Sequence, residues 1–273
     1  MCWRRRPGRP PEGRRTHSRT RVQVKHAQVK RAPDSGAPRP ARDPAVAETP
    51  PSPSRSGLPL REAALGLALT ATAGWIDAVG FLRLGGLYTS FMSGNTTQFA
   101  VALGQGEVAG ALPIGGLLAA FAGGSVLGGL VKGAVPAPWV AALVLALQAL
   151  LLGTGAALAL ASPDALPATL LLAFAMGAQN AALLQAAGFR AGATFVTGAL
   201  SGFGQKLGLA LAGRGPRWNW SGDGLVWAAL LLGGAGGAAA YGQLALAALL
   251  PPAVLTAAMA IGLLTAALRR PAR

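Results

Sequence analysis

GWIDAVGFLRLGGLYTSFMSGNTTQFAVALG, residues 74–104, sets an acid inside an apolar run and follows it with a cluster of hydroxyl and amide side chains. Asp77 sits among Trp75, Ile76, Val79 and Phe81, and Thr89, Ser90, Ser93, Asn95, Thr96, Thr97 and Gln98 come nearly together soon after. A later stretch, AFAMGAQNAALLQAAGFRAGATFVTGALSGFGQKLGLAL at 173–211, repeats the plan. Gly74-Trp-Ile-Asp77-Ala78 aligns with Gly177-Ala-Gln179-Asn180-Ala181, and Phe91-Met-Ser93-Gly94 with Phe195-Val-Thr197-Gly198. Each half therefore reads as a helix carrying G-x-x-[D/N]-A, a link, and a polar segment carrying F-x-[S/T]-G.

Around these stretches the chain is almost continuously apolar from Arg61 onward. The runs are approximately Glu62–Leu82, Leu87–Leu103, Ala111–Val131, Pro138–Ala161, Leu166–Ala187, Thr194–Leu211, Leu225–Leu249 and Pro252–Leu268. Several reach the ~20 residues that cross a ~30 Å hydrocarbon core. Such chains must satisfy their backbone internally, which selects helices. The expected fold is all-α: a polytopic membrane bundle of about six spans, with the two polar segments re-entrant or broken. Gly and Ala permit close helix approach in lipid, and Gly124/Gly128 and Gly233/Gly237 are spaced for it. Three spans per half is odd, so the halves (about 60–161 and 165–270) would enter from opposite sides as an inverted repeat, an arrangement common in secondary transporters.

Composition excludes much else. Of 273 residues, 52% are hydrophobic and 12% charged, which a soluble globular domain does not match. The single Cys, Cys2, excludes a disulfide framework, and both His lie in the first thirty residues. The net charge of +15 is concentrated in residues 1–60, where fourteen Lys or Arg stand against four acids. Residues 1–59, rich in Arg, Pro, Ser and Thr, are expected to be disordered. A basic arm of this kind retains an N-terminus in the cytoplasm, touches anionic lipid or nucleic acid, or reflects an over-long gene start; nucleic acid is not the expected partner. With six spans, Lys132, Arg190, Lys206, Arg214, Arg217, Arg269, Arg270 and Arg273 fall on the side of both termini, Glu107 and Asp164 opposite, and only Arg83 is misplaced; eight spans would put Arg83, Lys132 and Arg190 outside. By the positive-inside rule both termini are cytoplasmic.

The quoted motifs resemble those of the YoaK family, from about Leu60 to Leu268. That resemblance implies a bacterial multi-pass inner-membrane protein and supplies no substrate.

An acid at membrane depth is a functional hypothesis by default. Thr70, Ala73, Gly74, Asp77 and Gly80 share one helical stripe, so Asp77 reads as a proton or cation site, or as an acceptor that ties helices together. If Ser93 and Thr197 cap half-helices, free N–H groups beside Gly94, Asn95, Thr96 and Gly198 suit a small anion. The candidate site is thus Asp77, Ser93, Gly94, Asn95, Thr96, Gln179, Asn180, Thr197, Gly198 and Lys206, with no metal and no cofactor. Lys206 could face Asp77 or sit at the cytoplasmic rim. The leading expectation is a non-enzymatic secondary transporter or permease for a small solute, anionic on the half-helix argument, in contact with membrane lipids and free to form a homo-oligomer. An intramembrane enzyme on a lipid substrate would have only Ser93 and Lys206 as nucleophile and base. A membrane scaffold is the third class.

Overall fold

The computed structural model describes residues 60–162, 164, 166–182, 185–186, 189–190 and 196–269, with 185–186 and 189–190 described by backbone alone. The basic tail at 1–59 and the Thr194-Phe195 part of the second motif lie outside the described residues. The helices are α1 (Leu60–Arg83), α2 (Met92–Gly104), α3 (Val108–Ala134), α4 (Ala137–Ala161), α5 (Leu166–Gln179), α6 (Val196–Leu211), α7 (Ser221–Leu244) and α8 (Leu250–Leu268). A two-residue antiparallel pair, β1 (Gln185–Ala186) and β2 (Phe189–Arg190), lies between α5 and α6.

Among the described residues four stretches are long and apolar enough to cross a membrane: α1, α3, α4 and the 48-residue run Ser221–Leu268. At 1.5 Å per residue that last run would be about 72 Å long, more than twice a hydrocarbon core. It is instead broken by a 3₁₀ segment, Ala245–Leu249, whose first residue has φ 48°, and α7 and α8 are two crossings.

Side-chain neighbours fix the helix directions. Ala71 and Trp75 of α1 meet Gly233 and Gly237 of α7, so these two run the same way. Phe174 and Ala178 of α5 meet Gly124 and Gly128 of α3, again parallel. Between α1 and α5 the order reverses, because Gln179 reaches Leu69 while Val79 and Gly80 face Ala168 and Leu172. Val144 of α4 packs near Leu69 and Ala159 near Val79, which aligns α4 with α1. Val140 clusters with Ala260 and Ala156 with Ala253, which opposes α8 to α4. Thus α1, α4 and α7 run one way and α3, α5 and α8 the other: a polytopic helical bundle of six helices that alternate in direction.

The two parallel pairs are built alike. Gly74 lies against the backbone of Leu230 and Gly234, and Gly177 against that of Phe121 and Ser125. A Cβ at any of Gly74, Gly124, Gly177 or Gly233 would overlap a backbone carbonyl of the facing helix, so only glycine permits this approach. Larger residues fill the spaces between pairs; Leu69, Ile76, Leu117, Leu145, Leu152 and Met176 are fully buried. On the outside, Leu112, Leu130, Leu232, Val254 and Leu268 are exposed, as the lipid-facing surface of a membrane bundle requires.

Two boundaries differ from the sequence expectation. The run Leu166–Ala187 does not continue as one helix: α5 stops at Gln179. There Asn180 donates its amide to the carbonyls of Met176 and Gly177, and the N–H groups of Ala181 and Ala182 bond three residues back, which tightens and ends the last turn. Likewise residues 87–91 are loop, and α2 begins only at Met92.

Candidate functional site

α1 ends where Gly85 and Gly86 take φ +64° and +109°, and Gly86 N–H donates to the Phe81 carbonyl at 2.9 Å. This turn sends the chain back along α1 instead of out of the bundle. Gly80 lets it approach, since a Cβ there would strike the Thr89 methyl group. The returning loop reaches Asp77, six residues and about 9 Å from the end of α1.

Asp77 then holds the loop. Its Oδ1 accepts from Thr89 N–H at 2.8 Å, Thr89 Oγ1 at 2.9 Å and Ser90 N–H at 2.6 Å, and its Oδ2 accepts from Ser90 Oγ at 2.6 Å. Asp77, Thr89 and Ser90 are all buried. Two further side chains complete the fastening. Asn95 donates to the Tyr88 carbonyl at 2.7 Å and accepts from its N–H at 3.0 Å, and Gln98 donates to the Gly86 carbonyl at 2.9 Å. Non-helical backbone at membrane depth must have its polar groups bonded, and these three side chains from α1 and α2 supply the bonds. From this anchor α2 runs back to the side it came from. Only residues 105–107 separate its end from the start of α3 on that side, so α2 is re-entrant.

The other candidate residues are placed as follows. Phe91, not Ser93, occupies the N-cap of α2; Ser93 lies exposed in the first turn. Gly94 packs under the rings of Phe91 and Tyr88. Thr96 and Thr97 donate to the carbonyls of Met92 and Ser93, one turn back. Thr197 and Gly198 are exposed in the first turn of α6.

Gln179 belongs to a separate buried knot. It accepts from Gln148 Nε2 at 2.6 Å and donates to the Leu69 carbonyl at 3.2 Å. Leu69 lies two turns, about 12 Å, along α1 from Asp77. Lys206 pairs with Asp223 of α7 at 2.7 Å, and Gly202 makes room for that carboxylate. Thus Asp77 and Asn95 come together, while Gln179, Asn180 and Lys206 are engaged elsewhere. Ser93 and Lys206 sit on different short helices, with Lys206 held by Asp223.

Sequence reasoning left out of the site Thr89 and Ser90, the donors to Asp77, and Asp223, the partner of Lys206. The hydroxyls were visible as a polar cluster beside Asp77, but only the return of the loop makes them its ligands. Asp223 fell just outside an apolar run and so was not counted as an intramembrane acid.

Beside Asp77 the loop, α1 and α7 enclose a cleft of about 550 Å³, open on one side. Apart from Asp77 its walls are apolar, with Phe81, Tyr88 and Phe91 on one side and Leu230, Leu231 and Ala238 on the other. The rings are in mutual contact: Phe81 and Tyr88 have centroids 5.1 Å apart, and Tyr88 and Phe91 meet edge to face at 5.2 Å. Arg83 lines a different gap, with Val79, Ala168 and Leu249.

Comparison with known proteins gives two matches. Residues 65–262 match a family described as a protein of unknown function, DUF1275. The chain is also similar to a UPF0700 transmembrane protein of Rhizobium meliloti (strain 1021), 40% identical over 168 residues, or 58% of this chain and 69% of the relative. No solved structure matches.

Proposed function

The chain belongs to the DUF1275 family, and from its membrane fold and the geometry of its own residues we propose that it is a small permease. One observation carries the reading. The loop leading into α2 folds back into the bundle and is fixed there by a buried carboxylate, so that α2 returns to the side it came from. Burying a charge and an irregular loop in lipid is expensive, and helices interrupted at depth are where transporters form their solute and ion sites. A second short helix, α6, adjoins the opposite end of the bundle through Lys206 and Asp223.

An inverted repeat supports the same reading. The crossing residues Ala71, Gly74 and Trp75 of α1 correspond to Phe174, Gly177 and Ala178 of α5 at one constant offset. Those of α3, Phe121, Gly124 and Gly128, correspond to Leu230, Gly233 and Gly237 of α7 at another. Exchanging the halves therefore maps the α1–α7 contact onto the α3–α5 contact, and α1 runs opposite to α5. We place the protein in the bacterial inner membrane, in keeping with its YoaK-like motifs. The end bearing Arg61, Lys132, Arg214, Arg217 and Arg269 is cytoplasmic, with Glu107 and Asp164 outside. Asp77 is the proton or cation site of this permease, and the protein is not an enzyme. The Thr89 and Ser90 N–H groups are engaged by Asp77, so an anion would have to bind away from this turn.

The test is uptake by proteoliposomes containing the purified full chain, over a panel of radiolabelled cationic, neutral and anionic small solutes, with and without a pH gradient. At least one solute should enter faster than into protein-free vesicles, and Asp77→Asn should remove the gradient-dependent part. Uptake equal to protein-free vesicles across the panel refutes the proposal.

A further inference from the structure

The cleft beside Asp77 has three features that together define a ligand. It has room for a small organic molecule, about 550 Å³. Its lining includes Phe81, Tyr88 and Phe91, whose rings are in contact with one another. And Asp77 lines it, its carboxylate held by four hydrogen-bond donors of which none carries a charge: two are backbone N–H groups and two are hydroxyls. Hydrogen bonds of this kind hold the carboxylate in place and bring no cation to it. In surroundings of low dielectric a carboxylate strongly attracts a cation that enters.

We propose that this cleft binds an organic monocation: an ammonium group with a small apolar body, its charge directed at Asp77 and its carbon atoms against the aromatic wall. A cation placed over the face of one of these rings is favoured by the ring quadrupole, as it is by the carboxylate. An anion is repelled by both. A neutral acyl chain matches the apolar wall alone and gains nothing from Asp77. Opposite the rings, Leu230, Leu231 and Ala238 of α7 offer the apolar surface for the body of the ligand. This names the solute class for the permease proposed above and rests on that reading only for the step of transport; binding stands separately.

The experiment measures equilibrium binding to the detergent-purified full chain. The probe is radiolabelled benzyltrimethylammonium, and the competitors are neopentylbenzene, its neutral isostere, and benzenesulfonate, an aromatic anion. The cation should bind saturably, the neutral isostere should compete roughly tenfold more weakly or worse, and the anion should not compete.

Asp77→Asn should reduce cation affinity to that of the neutral compound, because the amide retains the loop contacts and drops the charge. Ala238→Phe, which fills the cleft from α7, should abolish binding without lowering the melting temperature. Equal affinity for cation and isostere in the native chain overturns the proposal, as does unchanged cation binding in Ala238→Phe. Saturable cation binding without any solute uptake would instead retain this site and remove the permease reading. Uptake of a solute with no cation bound in the cleft would do the opposite.

Discussion

Replacing Asp77 by Ala removes the acceptor for two backbone amides and two hydroxyls at once, whereas replacing it by Asn removes only its charge. Thr89 and Ser90 are both buried, so in the Ala variant their N–H groups have no water to turn to. Each buried donor left unpaired costs about 1–3 kcal/mol, so the two amides together cost about 2–6 kcal/mol. The hydroxyls rotate and find loop carbonyls, and add little. In Asp77→Asn, Oδ1 keeps its three donors and the new Nδ2 donates to Ser90 Oγ, for a loss of about 1 kcal/mol or less. The two variants should therefore differ by several kcal/mol at one position. Thermal unfolding in detergent should put the Ala variant below the Asn variant by on the order of 10 °C for a bundle of this size. Hydrogen exchange offers a local check: the Thr89 and Ser90 amides should lose protection in the Ala variant and keep it in the Asn variant. Coincident melting of the two variants, with those amides equally protected, would refute the idea that Asp77 anchors the loop.

Gly177→Leu and Gly74→Leu should each separate a parallel helix pair and lower stability by about 3 kcal/mol or more, because the obstacle is a facing carbonyl that no rotamer avoids; at Gly129, which has open space, the same change should alter melting by less than about 0.5 kcal/mol. Lys206→Ala leaves the buried Asp223 unpaired and should destabilise by about 1–3 kcal/mol, less than the ~3–5 kcal/mol of a fully buried pair because Lys206 is 31% exposed. Adding Asp223→Asn to that variant should restore much of the loss, and a double variant no better than Lys206→Ala would contradict the pairing. Single cysteines at Gly106 and Asp164 should react with an impermeant thiol reagent in intact cells while one at Gly133 does not; labelling at Gly133 would place the wrong end outside.

The class of protein was legible from composition and run length alone. Long apolar segments leave the backbone no alternative to helices in lipid, and the clustering of Lys and Arg at alternate links follows from the same physics whatever the packing. The glycine pairs Gly124/Gly128 and Gly233/Gly237 were visible as spacing, and the structure puts both at helix crossings. Asp77 was visible because a lone acid in an apolar run has to be bonded to something.

What it is bonded to was a tertiary matter. The loop reverses at Gly85 and Gly86 and lays Thr89 and Ser90 on a carboxylate twelve residues earlier, and no helical periodicity relates those positions. Periodicity also could not show that α5 ends at Gln179. The residues beyond it are as apolar as those before, and the stop comes from local bonds made by Asn180 and the next two amides. The pairing of Lys206 with Asp223 likewise depends on α6 folding back onto α7. Sequence determined which segments enter the membrane, because that depends on summed transfer energies. Only the fold decided which polar groups meet there, because each buried polar group is satisfied by whatever partner the helix packing brings within about 3 Å.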